Sequence, residues 1–470
     1  MDVLELTRLQ FAVTTLYHYL FVPLSISLST LTAVLQTAAV RTGRADFQRL
    51  ALLVGKILMA TFAVGVVTGL VQEFQFGLGW SDFARFYGDV FGPTLALEGM
   101  LAFFLEATFL GLWYFGRDKL PRLAHLATIW VVAVGTLLSA FIILAANAFM
   151  QNPVGYTYDE EAGRAHLESF SALLLNEVNL AAFPHTVAGA FMGGGSLLLA
   201  VALWGMSRRP ADTAAWRTLG RLGAWTTVLG GAGTAVTGDA LAKVMTHVQP
   251  MKMAAAEALY ASRSSAPFSV FAYAPPGEDE PSWSLEIPGL LSFLGKGSFG
   301  ATISGMGDLQ SEYAARFGAG DYVPWVPVAF WSFRLMIGVG LAAAALAAAY
   351  LWLTRKGRPL PVPRALSRLV PVLAFALPLL PAAANSFGWV FTETARQPWL
   401  VFGLFRTEDG VSLGLTSTEV LLSLGGFALV YGLLALAWAR LVQRLLHAGL
   451  PPEEPAPAER DDAPVPALTY

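Results

Sequence analysis

Nine apolar stretches, each long enough to cross a bilayer, run through this chain. They lie at about 10–37, 51–78, 91–116, 124–149, 180–206, 217–240, 325–353, 366–391 and 416–443. About twenty apolar residues span the hydrocarbon core as a helix, and a helix satisfies its own backbone there. The pattern predicts an all-α polytopic membrane protein with about nine transmembrane helices. The sixth stretch is the weakest, interrupted by Gly230, Gly231 and Gly233, although glycine is well tolerated in membrane helices. Composition agrees: 55% of residues are hydrophobic and 13% charged, where soluble domains carry about 25% charged. The net charge of −3 says nothing about nucleic acid, and there is no basic interaction tail.

Loop charge sets the orientation. Arg41, Arg44 and Arg49 follow the first span, and Arg117, Lys119 and Arg122 the third. Arg208, Arg209, Arg217 and Arg221 follow the fifth; Arg355, Lys356, Arg358, Arg364 and Arg368 follow the seventh. Tyr158–Glu177 instead carries Asp159, Glu160, Glu161, Glu168 and Glu177 against Arg164. The positive-inside rule then predicts the N-terminus outside and the C-terminus in the cytoplasm. The N-terminus shows no basic n-region with a cleavage site, so the first span itself directs insertion. Residues 1–240 hold spans one to six, 241–324 form a large outer loop, and 325–443 hold spans seven to nine. Residues 444–470 read as a disordered cytoplasmic tail, proline-rich and acidic from Pro451. In the loop, Val244–Arg263 predicts a helix broken at Pro250, with a turn-rich remainder. No internal repeat supports an inverted-repeat transporter.

The third span, FGPTLALEGMLAFFLEATFLGLWYF, carries Glu98 and Glu106. A carboxylate in the membrane faces the protein interior or a wet cavity. On an α-helix the two lie about 80° apart in azimuth, with about 12 Å of rise, so they can form two rungs of a proton path or be paired structurally. Ser139 and Asn147 in the fourth span could hydrate such a path or bond neighbouring helices. Cysteine is absent, which removes disulfides, thiolate metal sites and covalently attached heme. His18, His125 and His185 fall within spans. A buried neutral imidazole is a good iron ligand, and equally a hydrogen-bonded structural residue; His125, beside a basic loop, is left structural. His166, His247 and His447 lie in loops or the tail and receive no ligand role.

The seventh span begins FWSFRLMIG. Its Met336 could face an imidazole across the bundle as a heme-iron ligand, and Arg334 beside it could bind a propionate. A methionine on an apolar helix is otherwise core filler. The eighth span ends NSFGWVFTETARQPW, where Glu393 and Arg396 lie between Trp389 and Trp399. Glu393 is either a ligand or proton-handling group, or half of a surface pair at a helix end. These features describe an integral membrane protein with buried carboxylates and candidate iron ligands, consistent with proton or electron traffic.

At RLQFAVTTLYHYLFVPL, EFQFG, FGPTLALEGMLAFFLEATFLG, NAFMQNPVG, FRLMIG and ETARQPW the chain resembles the large heme-bearing subunit of cytochrome bd quinol oxidases. The blocks run in order from about Leu4 to Trp399, and the outer loop resembles the family's short-loop branch. The resemblance implies oxidation of quinol at the outer face and reduction of O₂ to water with cytoplasmic protons, contributing to proton motive force. It implies two hemes b (one low-spin, one high-spin), one heme d and no copper. His185 and Met336 match the low-spin heme b ligands, His18 a high-spin ligand favoured for heme d, and Glu393 the other high-spin ligand. Arg334, Arg396 and Trp389 fall in the cofactor-binding blocks. Glu98 and Glu106 match carboxylates of proton delivery, Glu98 also an immediate neighbour or ligand of heme iron. Lys252 and Glu257 match the family's quinol-binding pair. The implied partners are a second membrane subunit, one or more small single-helix subunits, quinol, O₂ and the lipid of a bacterial cytoplasmic membrane. The family usually has Gly before its Arg-Gln-Pro-Trp run, where this chain has Ala395. The rival class is a heme-free proton-coupled transporter, which accounts for the carboxylates but not for His185 with Met336; a third is a non-catalytic heme-bearing subunit.

Overall fold

The computed structural model describes residues 1–273, 282–359 and 370–452. The helices are α1 (Val3–Thr42), α2 (Ala45–Leu78), α3 (Ser81–Leu97), α4 (Phe104–Phe115), α5 (Arg122–Gln151), α6 (Phe170–Leu174), α7 (Glu177–Arg208) and α8 (Thr213–Val248). They continue as α9 (Pro250–Ala256), α10 (Leu290–Lys296), α11 (Met306–Phe317), α12 (Val326–Leu353), α13 (Val370–Ala376), α14 (Leu379–Thr394) and α15 (Ser417–Ala448). Local chemistry sets several ends. A capping box of Asp2 and Glu5 opens α1, and left-handed Gly43 (φ 67°) closes it, a conformation in which glycine bears no Cβ penalty. Thr416 and Glu419 form the same box at α15.

Among the described residues eight helices are long and apolar enough to cross a membrane, against the nine expected. The difference lies in α8. At 36 residues it has the length, but its small and polar residues lower its hydropathy, because they pack against α7 instead of lipid. A Cβ on Gly195 would lie 2.6 Å from the Thr227 nitrogen, and one on Gly223 2.6 Å from the Gly195 carbonyl oxygen. Glycine lets the two backbones approach this closely. The third span departs from expectation too. Helix begins at Ser81, ten residues before the apolar run, and Glu98–Phe103 form a π-helical turn between α3 and α4. The eighth span is two pieces, α13 and α14, separated around Pro378; its expected onset at 366 lies outside the described residues, as do Arg364 and Arg368.

The α8–α12 connection is a compact cap, and more ordered than its turn-rich sequence suggested. The expected break at Pro250 is present, but the helix after it ends at Ala256. Strand β1 (Arg263–Ser264) pairs with β4 (Thr302–Ile303), and β2 (Phe268–Tyr273) pairs with β3 (Trp283–Ile287) in an antiparallel hairpin. Met251, Met253, Leu291, Tyr313, Tyr322 and Trp399 form the cap's apolar core. At the C-terminus α15 continues to Ala448, past the expected boundary at 444, because Leu445 and Leu446 extend its apolar stripe onto the bundle core. The tail from 453 to 470 lies outside the described residues.

The bundle is closed at the end carrying the basic loops. There Leu35, Leu53, Ile57, Trp113, Ile129, Leu198 and Trp216 make one continuous core. His125 belongs to it: its ring lies between Gln36 Nε2 and the Trp113 carbonyl, 2.7 Å from each, a satisfied structural histidine. Toward the cap the bundle opens into a cavity.

Candidate functional site

The cavity holds about 1150 Å³, beyond the roughly 300–1,000 Å³ of ordinary ligand pockets. His18 of α1, Glu98, Glu106, Trp389, Glu393 and Arg396 all line it. The π turn alters the winding between Glu98 and Glu106, so the α-helical offset of about 80° does not describe them, yet both reach this one space. Such turns are frequent at functional sites. Glu98 Oε1 accepts from Ser139 Oγ at 2.8 Å. Glu106 is buried, and its Oε1 has no hydrogen-bond partner among the described residues; its Cγ lies where a Cβ on Gly135 would come within 2.9 Å.

Glu393 is not half of a surface pair. Its Oε1 accepts from Asn147 Nδ2 at 3.1 Å and its Oε2 from Arg396 Nη2. Arg396 is 4% exposed, and its Nε and Nη1 are buried without a partner among the described residues. A native protein rarely leaves guanidinium donors orphaned, so the site has unmet capacity for an anionic group. Ala395, at φ −78° and ψ −5°, occupies ordinary helical space, so its departure from glycine asks nothing of the backbone.

The candidate iron ligands are seated by a shared device. His18 Nδ1 lies 2.9 Å from Thr68 Oγ1, which donates its own hydrogen to the Val64 carbonyl at 2.8 Å. The threonine therefore accepts from Nδ1–H, leaving Nε2 unprotonated and able to bind a metal. His185 repeats this with Thr237: Nδ1 to Oγ1 is 3.3 Å, and Thr237 donates to the Gly233 carbonyl at 2.7 Å. The next residue in each case is glycine, Gly69 or Gly238, where a Cβ would lie 3.2 Å from the imidazole Cε1. Met336 likewise rests on Gly388, where a Cβ would come within 2.8 Å of the sulfur. The two Val-Thr-Gly tripeptides, 67–69 and 236–238, are the sequence signal that reading by residue type missed.

His185 and Met336 do not line the cavity; His185 of α7 is seated against α8, and Met336 of α12 against α14. Lys252, Glu257 and Arg334 are gathered at the cap. Arg334 points away from Met336, since two residues on a helix are about 200° apart. Its Nη2 bonds Glu257 at 2.7 Å, its Nε the Ser269 carbonyl at 2.6 Å and its Nη1 the Ala256 carbonyl at 3.1 Å, with the rings of Phe268 and Phe330 4.4 Å from the guanidinium. In this arrangement the guanidinium is engaged by Glu257 and two main-chain carbonyls. Burial pushes the Glu257 carboxyl up to about 7, against the pull of Arg334. Burial also brings the Lys252 ammonium down to about 7, opposed by Glu393. Lys252 Nζ donates to Gln151 Oε1 at 2.8 Å and to the Thr392 carbonyl at 3.1 Å. Gln151 is a site residue that the sequence reading passed over inside NAFMQNPVG.

Among the described residues no group of three or more His, Asp or Glu side chains could hold a bare metal ion. Iron placed against single imidazoles must bring most of its donors with it, as a porphyrin does. A helical membrane bundle with singly presented imidazoles, a large cavity and unmatched guanidinium donors fits a carrier of macrocyclic, anionic prosthetic groups. Comparison with known proteins identifies which. Residues 6–450 match the family model described as cytochrome bd terminal oxidase subunit I. The chain is 39% identical, over 96% of its length and 94% of the relative's, to cytochrome bd ubiquinol oxidase subunit 1 of Bacillus subtilis. It is 32% identical, over 95% of its length and 97% of the relative's, to cytochrome bd-II ubiquinol oxidase subunit 1 of Escherichia coli. The structure of bd oxidase from Geobacillus thermodenitrificans superposes with a TM-score of 0.84 at 27% identity, covering 95% of this chain and 99% of that one. The chain belongs to the cytochrome bd terminal oxidase subunit I family, whose members carry heme.

Proposed function

We propose that this chain is the heme-bearing subunit of a quinol:O₂ oxidoreductase in a bacterial cytoplasmic membrane, working with a second membrane subunit and small single-helix subunits. The observation that carries the reading is the single cavity onto which His18, Glu98, Glu106, Trp389, Glu393 and Arg396 converge. Its orphaned Arg396 donors fit a propionate. The proposed set is two hemes b and one heme d. In this reading His185 and Met336 would hold the low-spin heme b, and His18 and Glu393 would serve the high-spin hemes, with heme d on His18. Bound there, the hemes supply one-electron transfer and the place where O₂ is reduced.

The chain's own residues handle protons and position. With the N-terminus outside, the cap faces the outer side, and quinol gives up its electrons and protons there. Glu257, poised near neutrality, takes a quinol proton, and Arg334 holds that carboxylate at the outer end of α12, two residues from Met336. Reduction of O₂ consumes a proton with each electron, and an uncompensated charge in low dielectric is costly. Glu106 and Glu98, the latter held by Ser139, pass protons from the cytoplasmic side toward the cavity. Arg396 offsets the charge of Glu393 and of a propionate. Thr68 and Thr237 keep each imidazole in the tautomer that offers Nε2.

No relative supports the transporter reading, and no feature of the site favours it. The test is a reduced-minus-oxidised spectrum of the purified complex together with O₂ uptake driven by quinol. Heme bands, including a red-shifted chlorin band, with quinol-dependent uptake are expected; a folded, colourless preparation overturns the reading.

A further inference from the structure

A continuous line of hydrogen bonds, buried at the cap and part-buried at the cavity, leaves the cap and ends on the cavity carboxylate. Lys252 Nζ donates to Gln151 Oε1 at 2.8 Å, Gln151 Nε2 donates to Asn147 Oδ1 at 2.8 Å, and Asn147 Nδ2 donates to Glu393 Oε1 at 3.1 Å. A lysine ammonium can only donate and an ionised carboxylate can only accept. Both amide groups are therefore fixed in one orientation, with their dipoles in series from cation to anion. Lys252 is 4% exposed, so water screens the cap end of the line little. It also holds the Thr392 carbonyl at 3.1 Å, gripping the backbone one residue before Glu393. The Gln151 carbonyl is in turn held by Gln249 Nε2 at 2.9 Å, so the glutamine is anchored at both ends of its side chain and main chain. The anchors come from α5, α9 and α14, three elements far apart in the chain.

We propose that Lys252, Gln151 and Asn147 are positioning residues of the cavity: a two-amide bridge through which the cap's lysine fixes the orientation and charge environment of Glu393. The inference rests on the reading of Glu393 as a group facing a high-spin heme. It gives Lys252 a duty beyond any contact with quinol, and makes the state of the cap felt at the O₂-reducing end. Double charge-assisted anchoring of this kind is what outer-shell partners provide to metal-site ligands, where their loss costs roughly 10–100-fold in activity or metal affinity.

The test uses the intact complex with Lys252→Met, Gln151→Met and Asn147→Leu, each close in shape to the residue replaced, and the double variant Lys252→Met/Asn147→Leu. Each heme is followed by its difference spectrum and its midpoint potential, and quinol KM and kcat are measured separately. Each single variant is expected to shift the high-spin signals and leave the low-spin one in place, with kcat lowered by roughly 10–100-fold. The double variant is expected to go no further than a single one, because the bridge is already cut. Additive shifts, or a raised quinol KM in Lys252→Met with unmoved high-spin signals in all variants, would overturn the proposal. So would loss of the low-spin heme along with the others, which would mean general unfolding instead of a local bridge. A Glu393→Gln control separates the two levels: unchanged high-spin signals there reject the reading of Glu393 itself, whatever the bridge variants do.

Discussion

Gly388→Ala tests the seat of Met336 with a single methyl group. An alanine Cβ at 388 would lie 2.8 Å from the sulfur, whereas ordinary contact begins at 3.4 Å. The sulfur must therefore retreat by about 0.6 Å (3.4 minus 2.8), three times the roughly ±0.2 Å tolerance of a metal–ligand distance. Retreat is cheap for the fold, because a thioether on three rotatable bonds adapts readily, and alanine gains up to about 1 kcal/mol over glycine in a helix interior. The expected result is a normally assembled complex whose low-spin heme b loses or shifts its absorption band. Its midpoint potential should fall, since methionine ligation raises it. Spectroelectrochemical titration of the purified complex measures both. Gly340→Ala is the matched control on α12: its Cβ would meet Ala384 at an ordinary 3.8 Å, and its spectrum should be that of the parent. Met336→Leu should give the same endpoint as Gly388→Ala, and combining them should add nothing. An unchanged low-spin band and potential in Gly388→Ala would refute the argument that Met336 sits on iron from this position.

Three further outcomes follow from the same geometry. Glu106→Gln keeps the shape of a buried side chain but cannot carry a proton; turnover should fall roughly a hundredfold with heme content unchanged, and normal turnover would remove Glu106 from the proton path. Thr68→Val should shift the high-spin signals alone and Thr237→Val the low-spin signal alone, each restored by serine; an EPR spectrum unmoved in both would reject the tautomer assignment. Glu257 titrates at about 7 and must be ionised to accept a proton, so kcat/KM for quinol should rise as pH increases through that value; the rise should vanish in Glu257→Gln, and its persistence there would assign it to another group.

Much of the architecture was legible in the residues because the cost of placing a side chain in lipid is local. FWSFRLMIGVGLAAAALAAAY predicts a span without reference to any neighbour, and α12 begins one residue from the expected start. The failures mark where neighbours intervene. The stretch at 217–240 forms a 36-residue helix, yet its composition reflects contact with α7 more than with lipid. The 80° offset of Glu98 and Glu106 assumed regular α-helix, and the π turn replaced it. Glu393 and Arg396 looked like a surface pair by spacing, because burial cannot be read from an i, i+3 interval.

The sequence by itself determined that this is a multi-pass helical membrane protein, which residue types could hold iron or protons, and, by its ordered blocks, the family. Only the tertiary structure decided who meets whom. Asn147 and Glu393 are 246 residues apart, Lys252 and Gln151 101, and Glu257 and Arg334 77. Arg334 turned to Glu257, Lys252 reached toward the cavity, and two threonines selected the nitrogen that each histidine presents. The physical reason is that partition into lipid is a property of a segment, whereas a buried donor's partner is set by which helices lie beside it.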